Sequence, residues 1–258
     1  MNTLQLSITD KLAVITLDRG RSNPINAEMV AELTDLIGKL ADDEQVGGVI
    51  LTGKENFFSA GLDLIEVYDY DEEKAKQFWI DFLNLQSVLV SFKKPMVAAI
   101  SGHSPAGGCV LAICCDYRVM AAGKYIIGLN EIPVGIIVPD SIGQVYSFWI
   151  GKRKAYQYLL EGKLIGVDEA LADGLIDEVC DAADVLAAAE KKAQTYMKLN
   201  PVTWGQSKMN LRKGLISQIN AGQSEALDVM LKQWWSPATR QTLQAIIHNL
   251  KNPPAKKA

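Results

Sequence analysis

The sequence predicts an α/β fold with a helical C-terminal region, and three observations predict it. Short apolar runs of strand length alternate with stretches of helical periodicity through the first half. Two glycine turns, Ala60-Gly61 and Gly107-Gly108, each follow such a run and open into a helical pattern. From Asp140 onward the pattern is mostly helical, with one β-like stretch at Leu175 to Val179.

Leu4 to Ile8 and Leu12 to Leu17 alternate in the strand manner, with Thr9-Asp10 as the turn between them. Asn26 caps a helix whose Met29, Val30, Leu33, Leu36, Ile37 and Leu40 share one face. Gly48 to Thr52 reads as a buried strand that leads to the first glycine loop. A second amphipathic helix fills Glu72 to Phe92 and stops before Pro95. The acidic run Asp69, Asp71, Glu72 and Glu73 suits the positive end of that helix. Met96 to Ile100 is another buried strand, and the second glycine turn follows it. Tyr117 to Ala121 and Tyr125 to Leu129 read as short strands. There is no internal repeat and no long linker; the tail from Asn252 to Ala258 reads as disordered.

At 258 residues, 48% hydrophobic and 22% charged, the chain has room for one large domain with a helical appendage and a substantial core. A net charge of −4 gives no general attraction to nucleic acid or an anionic membrane. No apolar run reaches transmembrane length, and the first residues resemble neither a secretory nor an organellar leader. A cytoplasmic location is expected. Cys109, Cys114, Cys115 and Cys180 form no C-x-x-C pair, so buried reduced thiols are expected and a metal site is not. The only histidines are His103 and His248, and there is no G-x-S-x-G elbow. Trp234-Trp235 reads as core or subunit contact.

Where a chain enters a helix its first backbone N–H groups lack partners. Two such turns facing one point can hold a developing oxyanion, and both turns follow buried strands, so they should emerge at one edge of the core. Glu131 lies among Leu129, Asn130, Ile132, Pro133 and Val134, where apolar neighbours raise a carboxyl pKa towards that of a general base. Each feature also has a plainer reading. The glycines can serve close helix–strand packing, and Glu131 can point to solvent ahead of Pro133.

Together, Phe57-Phe58-Ser59-Ala60-Gly61-Leu62-Asp63, Pro105-Ala106-Gly107-Gly108-Cys109 followed by Cys115-Asp116-Tyr117-Arg118, and Ile127-Gly128-Leu129-Asn130-Glu131 resemble the crotonase superfamily of enoyl-CoA hydratases and isomerases. The resemblance implies a ββα spiral core over residues 1–197 and a helical trimerisation region over 198–258. It implies an acyl-CoA thioester substrate, no separate cofactor, and a homotrimer or homohexamer. It maps the oxyanion-hole N–H groups onto Leu62 and Gly107, with Ala60, Gly61, Asp63, Leu64 and Val110 beside them at the substrate.

One departure sharpens the expectation. Family hydratases carry two catalytic glutamates, the first directly after Gly-Gly-Cys, where this chain has Val110; the second corresponds to Glu131. A single carboxylate can move a proton between two carbons but cannot share the handling of a water. The pattern resembles the Δ3,Δ2-enoyl-CoA isomerases of fatty-acid β-oxidation, with thioester hydrolysis, decarboxylation or non-catalytic acyl-CoA binding as alternatives. Arg19, Arg21, Lys54, Lys93 and Lys94 are the candidates to meet the phosphates of CoA.

Overall fold

The computed structural model describes residues 1–221 and 223–252; the tail read as disordered lies outside them from residue 253 onward. Strands β1 (Leu4–Thr9) and β2 (Leu12–Leu17) form a hairpin in which Thr9 faces Leu12. Its two-residue turn is Asp10-Lys11, with φ of 50° and 64°. The turn expected at Thr9-Asp10 is therefore one residue further on. Thr9 extends the ladder, and the tight turn needs two positive φ values in a row. Helix α1 (Ala27–Asp42) buries the predicted face, and the Asn26 side chain accepts from Met29 N at 3.0 Å.

The chain then repeats one pattern: a strand in a large sheet, a strand in a small one, and a helix. The first unit is β3 (Gly48–Thr52), β4 (Asn56–Phe57), α2 (Leu64–Tyr68) and α3 (Glu72–Val90). The second is β5 (Met96–Ile100), β6 (Gly102–Pro105) and α4 (Gly107–Cys114). The third begins with β7 (Tyr117–Ala121) and β8 (Ile126–Gly128), continues through a 3-10 turn at Ile132–Val134, and reaches α5 (Asp140–Ile150) and α6 (Lys152–Glu161). After it come β9 (Leu164–Gly166), α7 (Val167–Ala172), β10 (Glu178–Cys180), α8 (Val185–Met197), α9 (Pro201–Ile219), α10 (Gln223–Trp234) and α11 (Pro237–Lys251).

The large sheet has the order β1-β2-β3-β5-β7-β10 and the small one β4-β6-β8-β9. Apart from the hairpin and the β8–β9 pair, all pairings are parallel. This is the crotonase-type ββα spiral with a helical C-terminal region. The β-like stretch expected at Leu175 to Val179 is displaced to β10. Leu175 and Ile176 both donate backbone N–H groups to Ala170 O, at 2.9 and 3.2 Å, and so close α7 instead of extending a strand.

Strands β3 and β5 are buried along their whole length, as continuous apolar runs require. Helix α8 covers one face of the large sheet with Val185, Ala189 and Ala193. The main core fills the other side and takes in Leu215, Trp234 and Leu243 from the last three helices. Trp234 packs edge-on against Trp79 with ring centroids 6.1 Å apart. Helix α9 is pinned by charge: Lys208 and Arg212 reach the two oxygens of Asp116 at 2.8 and 3.1 Å. All four cysteines are free thiols, with Cys109, Cys114 and Cys115 buried and Cys180 half-buried.

Candidate active site

Because β3 and β5 are parallel neighbours, and β4 and β6 are too, the chain leaves both pairs at one edge. The two glycine turns meet there. A Cβ built on Gly61 would fall 2.9 Å from Ala106 Cβ and 3.2 Å from Gly107 N, and Gly61 has φ +90°. Glycine is required at Gly61 on both counts.

The backbone bonds around the turns fix where two N–H groups point. Gly61 O accepts from Ile25 N at 2.8 Å, and Asp63 N donates to Ile25 O at 2.8 Å. In a trans peptide the N–H is opposed to the C=O, so the Leu62 N–H points away from Ile25. In the other turn Ala106 N donates to Gly128 O at 2.8 Å, and Ala106 O accepts from Val110 N at 3.0 Å. Gly107 is the first residue of α4, and its N–H has no place in the helix ladder. Neither Leu62 N nor Gly107 N finds an acceptor among the described residues. Ala106 is held at φ 50°, ψ −123°, a conformation costly for any residue with a Cβ. Strain at this residue is the local expense of aiming the neighbouring donor.

Around the first turn lies a support the sequence reading missed, the loop from Arg19 to Asn26. Asn23, fully buried at φ 50°, donates its side-chain amide to Phe58 O at 3.0 Å. Its own carbonyl accepts from Ser59 Oγ at 2.7 Å, and Ser59 Oγ in turn accepts from Gly61 N at 3.1 Å. Ala60 N donates to Ser22 O at 2.8 Å. Such bonds run from polar side chains to irregular backbone and leave no periodic trace. The Asn23-Pro24 pair, a turn-forming dipeptide, was the available signal.

Leu62, Ala60, Asp63, Leu64, Gly107, Val110 and Glu131 all border one cavity of about 480 Å³, with Gly61 behind them against Ala106. Trp79, Phe82, Ile136 and Ile142 make its walls largely apolar, and Ile246 and Leu250 of α11 close one side. That helix is held by Thr239 Oγ1 donating to Gly135 O at 3.1 Å and Arg240 donating to Tyr68 O at 2.8 Å.

Glu131 is turned inward, 8% exposed. Its Oε2 has no hydrogen-bond partner among the described residues. Burial pushes its carboxyl up to about 7, opposed only in part by its own backbone N–H. Asp63, the other carboxylate on the cavity, is fully engaged: Oδ1 caps α2 through Glu66 N at 3.0 Å, and Oδ2 takes Arg19 at 2.6 Å. Val110 is buried and offers only methyl groups.

Of the other candidates, His103 does not border the cavity. Its Nδ1 accepts from Ile126 N at 3.2 Å, between the rings of Phe57 and Tyr125. Lys54 is ion-paired with Asp18, and Lys94 donates to Leu40 O and Asp43 O at 2.7 Å each. Arg21 and Lys93 are exposed, with no ion pair among the described residues. No group of three or more potential metal ligands occurs among the described residues, and none of their helices is long and apolar enough to cross a membrane.

The site is thus two unpartnered backbone donors and one buried carboxylate with a free Oε2 around a largely apolar cavity, and known proteins share its frame. The family described as enoyl-CoA hydratase/isomerase matches residues 7–251. The chain belongs to that family. It is 39% identical over 190 residues to mouse (Mus musculus) mitochondrial enoyl-CoA delta isomerase 1, across 73% of this chain and 66% of the mouse protein. It is 30% identical to a probable enoyl-CoA hydratase of Mycobacterium tuberculosis, across 85% of each chain. The crystal structure of human mitochondrial Δ3-Δ2-enoyl-CoA isomerase superposes with a TM-score of 0.93 at 29% identity, covering 98% of this chain and 100% of that one. Isomerases and hydratases both occur among the family's relatives, so family membership leaves the reaction to be decided by the site.

Proposed function

We propose that the chain is a Δ3,Δ2-enoyl-CoA isomerase acting in fatty-acid β-oxidation. The observation that carries this reading is the single buried carboxylate with a free oxygen, Glu131 Oε2, with Val110 buried on the same cavity. The thioester carbonyl accepts hydrogen bonds from the Leu62 and Gly107 N–H groups. Ionised Glu131 takes the C2 proton, and the electron pair moves into a dienolate whose charge rests on the thioester oxygen. The two donors bind that oxygen more strongly as it gains charge, which lowers the barrier instead of merely tightening binding. Protonated Glu131 then delivers its proton to C4, and the double bond settles between C2 and C3. Proton and electrons balance without a metal or redox group.

Ala60, Asp63, Leu64 and Val110 form the wall against which the acyl group lies, with Gly61 behind them. The apolar lining keeps water from quenching the dienolate. An assay that follows enoyl-thioester absorbance decides the reading: conjugation creates it from a 3-enoyl-CoA, whereas hydrolysis, decarboxylation and simple binding do not. Absence of that signal across chain lengths would sink the isomerase reading.

Residues 198–258 are proposed to assemble a trimer or a pair of trimers. The reading rests on the family resemblance, and Val202 and Leu211 of α9, 78% and 79% exposed, are among the apolar side chains that such an assembly would cover. Light scattering that gives a monomer at micromolar concentration would refute this.

A further inference from the structure

Arg19 is one of the sequence candidates for the CoA phosphates, yet its guanidinium faces inward. One terminal nitrogen, Nη1, donates to Asp63 Oδ2 at 2.6 Å and to Pro24 O at 3.0 Å. The other, Nη2, donates to Glu66 Oε2 at 2.8 Å. Glu66 is gripped from two further sides, by Asn26 Nδ2 at 2.9 Å and by the Tyr70 hydroxyl at 2.5 Å. Asn26 also caps α1. The backbone of Arg19 is closed on Asn23 in both directions, with Arg19 N donating to Asn23 Oδ1 and Asn23 N donating to Arg19 O, each at 3.0 Å.

The consequence falls on Leu62. Its N–H belongs to a short segment whose near end is tied to Ile25 and whose far end is Asp63, the cap of α2. Helix α2 has only five residues and is too short to hold itself. Arg19 binds its cap and its Glu66 to the Pro24 carbonyl, one residue from Ile25. We propose that Arg19 is a positioning residue that aims the Leu62 donor, by clamping the start of α2 to the Pro24–Asn26 segment. This inference rests on the isomerase reading for its kinetic consequence, but not for its structural one. A planar fork is what the task needs, because two carboxylates and a carbonyl must be held in fixed relation. A lysine supplies charge without that geometry.

The test compares wild type with Arg19→Lys and Arg19→Gln, using two readouts. The first is steady-state kinetics on a 3-enoyl-CoA. The second is the infrared carbonyl stretch of a bound 2-trans-enoyl-CoA labelled with ¹³C at the thioester, which reports hydrogen bonding to that oxygen without turnover. Arg19→Gln is expected to lower kcat about tenfold to a hundredfold, the scale on which a misplacement of about 1 Å acts. KM should stay within about twofold, as for an interaction expressed in the transition state. The downward shift of the carbonyl stretch on binding should shrink in parallel, with Arg19→Lys intermediate in both readouts. A raised KM with kcat and the carbonyl shift intact would overturn the proposal and make Arg19 a phosphate ligand. A lowered melting temperature with both readouts intact would also overturn it, leaving Arg19 a stabilising ion pair only. If wild type shifts the carbonyl but does not isomerise, the isomerase reading fails while the infrared comparison still decides the role of Arg19.

Discussion

Asp63 and Glu131 border the same cavity and carry the same functional group, yet the fold treats them in opposite ways. Each Asp63 oxygen has a partner, Glu66 N for one and Arg19 for the other. Glu131 is buried behind the β8 strand end with Oε2 unpartnered, and burial holds its carboxyl near 7. A carboxylate with a partner on each oxygen ties the start of α2 to Arg19. One that is buried with an oxygen left free is raised into the range where a carboxyl exchanges a proton near neutral pH. The fold, not the residue type, sets the two environments.

The comparison is broken most directly by neutralising each member. Glu131→Gln should reduce isomerisation by about two to four orders of magnitude, the usual worth of a general base. Asp63→Asn should slow the reaction less and leave the midpoint of the pH–rate profile where wild type has it, near 7. The rate itself rises with pH through that midpoint, since the base acts in its ionised form. A Glu131→Gln enzyme that kept most of its rate while folded would remove Glu131 from the mechanism.

A second carboxylate placed on the same cavity sharpens the contrast. Val110→Glu sets a like charge beside Glu131, raising the pair's apparent pKa values, and admits water where methyl groups excluded it. The variant should lose isomerase activity and gain only slight hydration of crotonyl-CoA, read from loss of the enoyl-thioester absorbance. Efficient hydration by the unaltered protein would show that some other group supplies a second acid.

The smallest effect is on stability. With the folded carboxyl near 7 and a reference value of 4.5, wild type binds the Glu131 proton more tightly folded than unfolded. The neutral form therefore adds stability at low pH that is lost as pH rises from about 4.5 through about 7. Glu131→Gln, which never ionises, should be more stable than wild type by about 3 kcal/mol at pH 8, with the gap closing towards pH 4. Urea melts at the two pH values check this, and a constant gap would mean that Glu131 is not desolvated as the structure has it.

Much of the fold was legible where burial writes a pattern. Gly48 to Thr52 and Met96 to Ile100 were found to the residue, because strands covered on both faces read as near-continuous apolar runs, and the short strand Tyr117 to Ala121 was found although Arg118 interrupts it. The face of α1 and its Asn26 cap were equally plain. Strands β4, β6 and β9 were missed. They are two to four residues long, and their Asn, Gly, His and Pro content resembles a loop, since pairing rather than side-chain burial defines them. Within the site, the glycine turns and Glu131 were visible as residue types in context. The supporting loop was not: Arg19, Asn23 and Asn26 reach Asp63, Phe58 and Glu66, partners more than thirty residues away that no local pattern marks.

The wall that α11 gives the cavity has a consequence for how the protein is made. Ile246 and Leu250 face a space whose other sides are complete once the segment ending at Leu164 has been synthesised. Until that helix is in place, the sheets, both glycine turns and Glu131 border a trough open on the α11 side. The apolar chamber comes into being only when α11 has left the ribosome and docked on Gly135 and Tyr68. Any product cut short before residue 246 would carry both glycine turns and Glu131 and lack the wall that α11 gives the cavity.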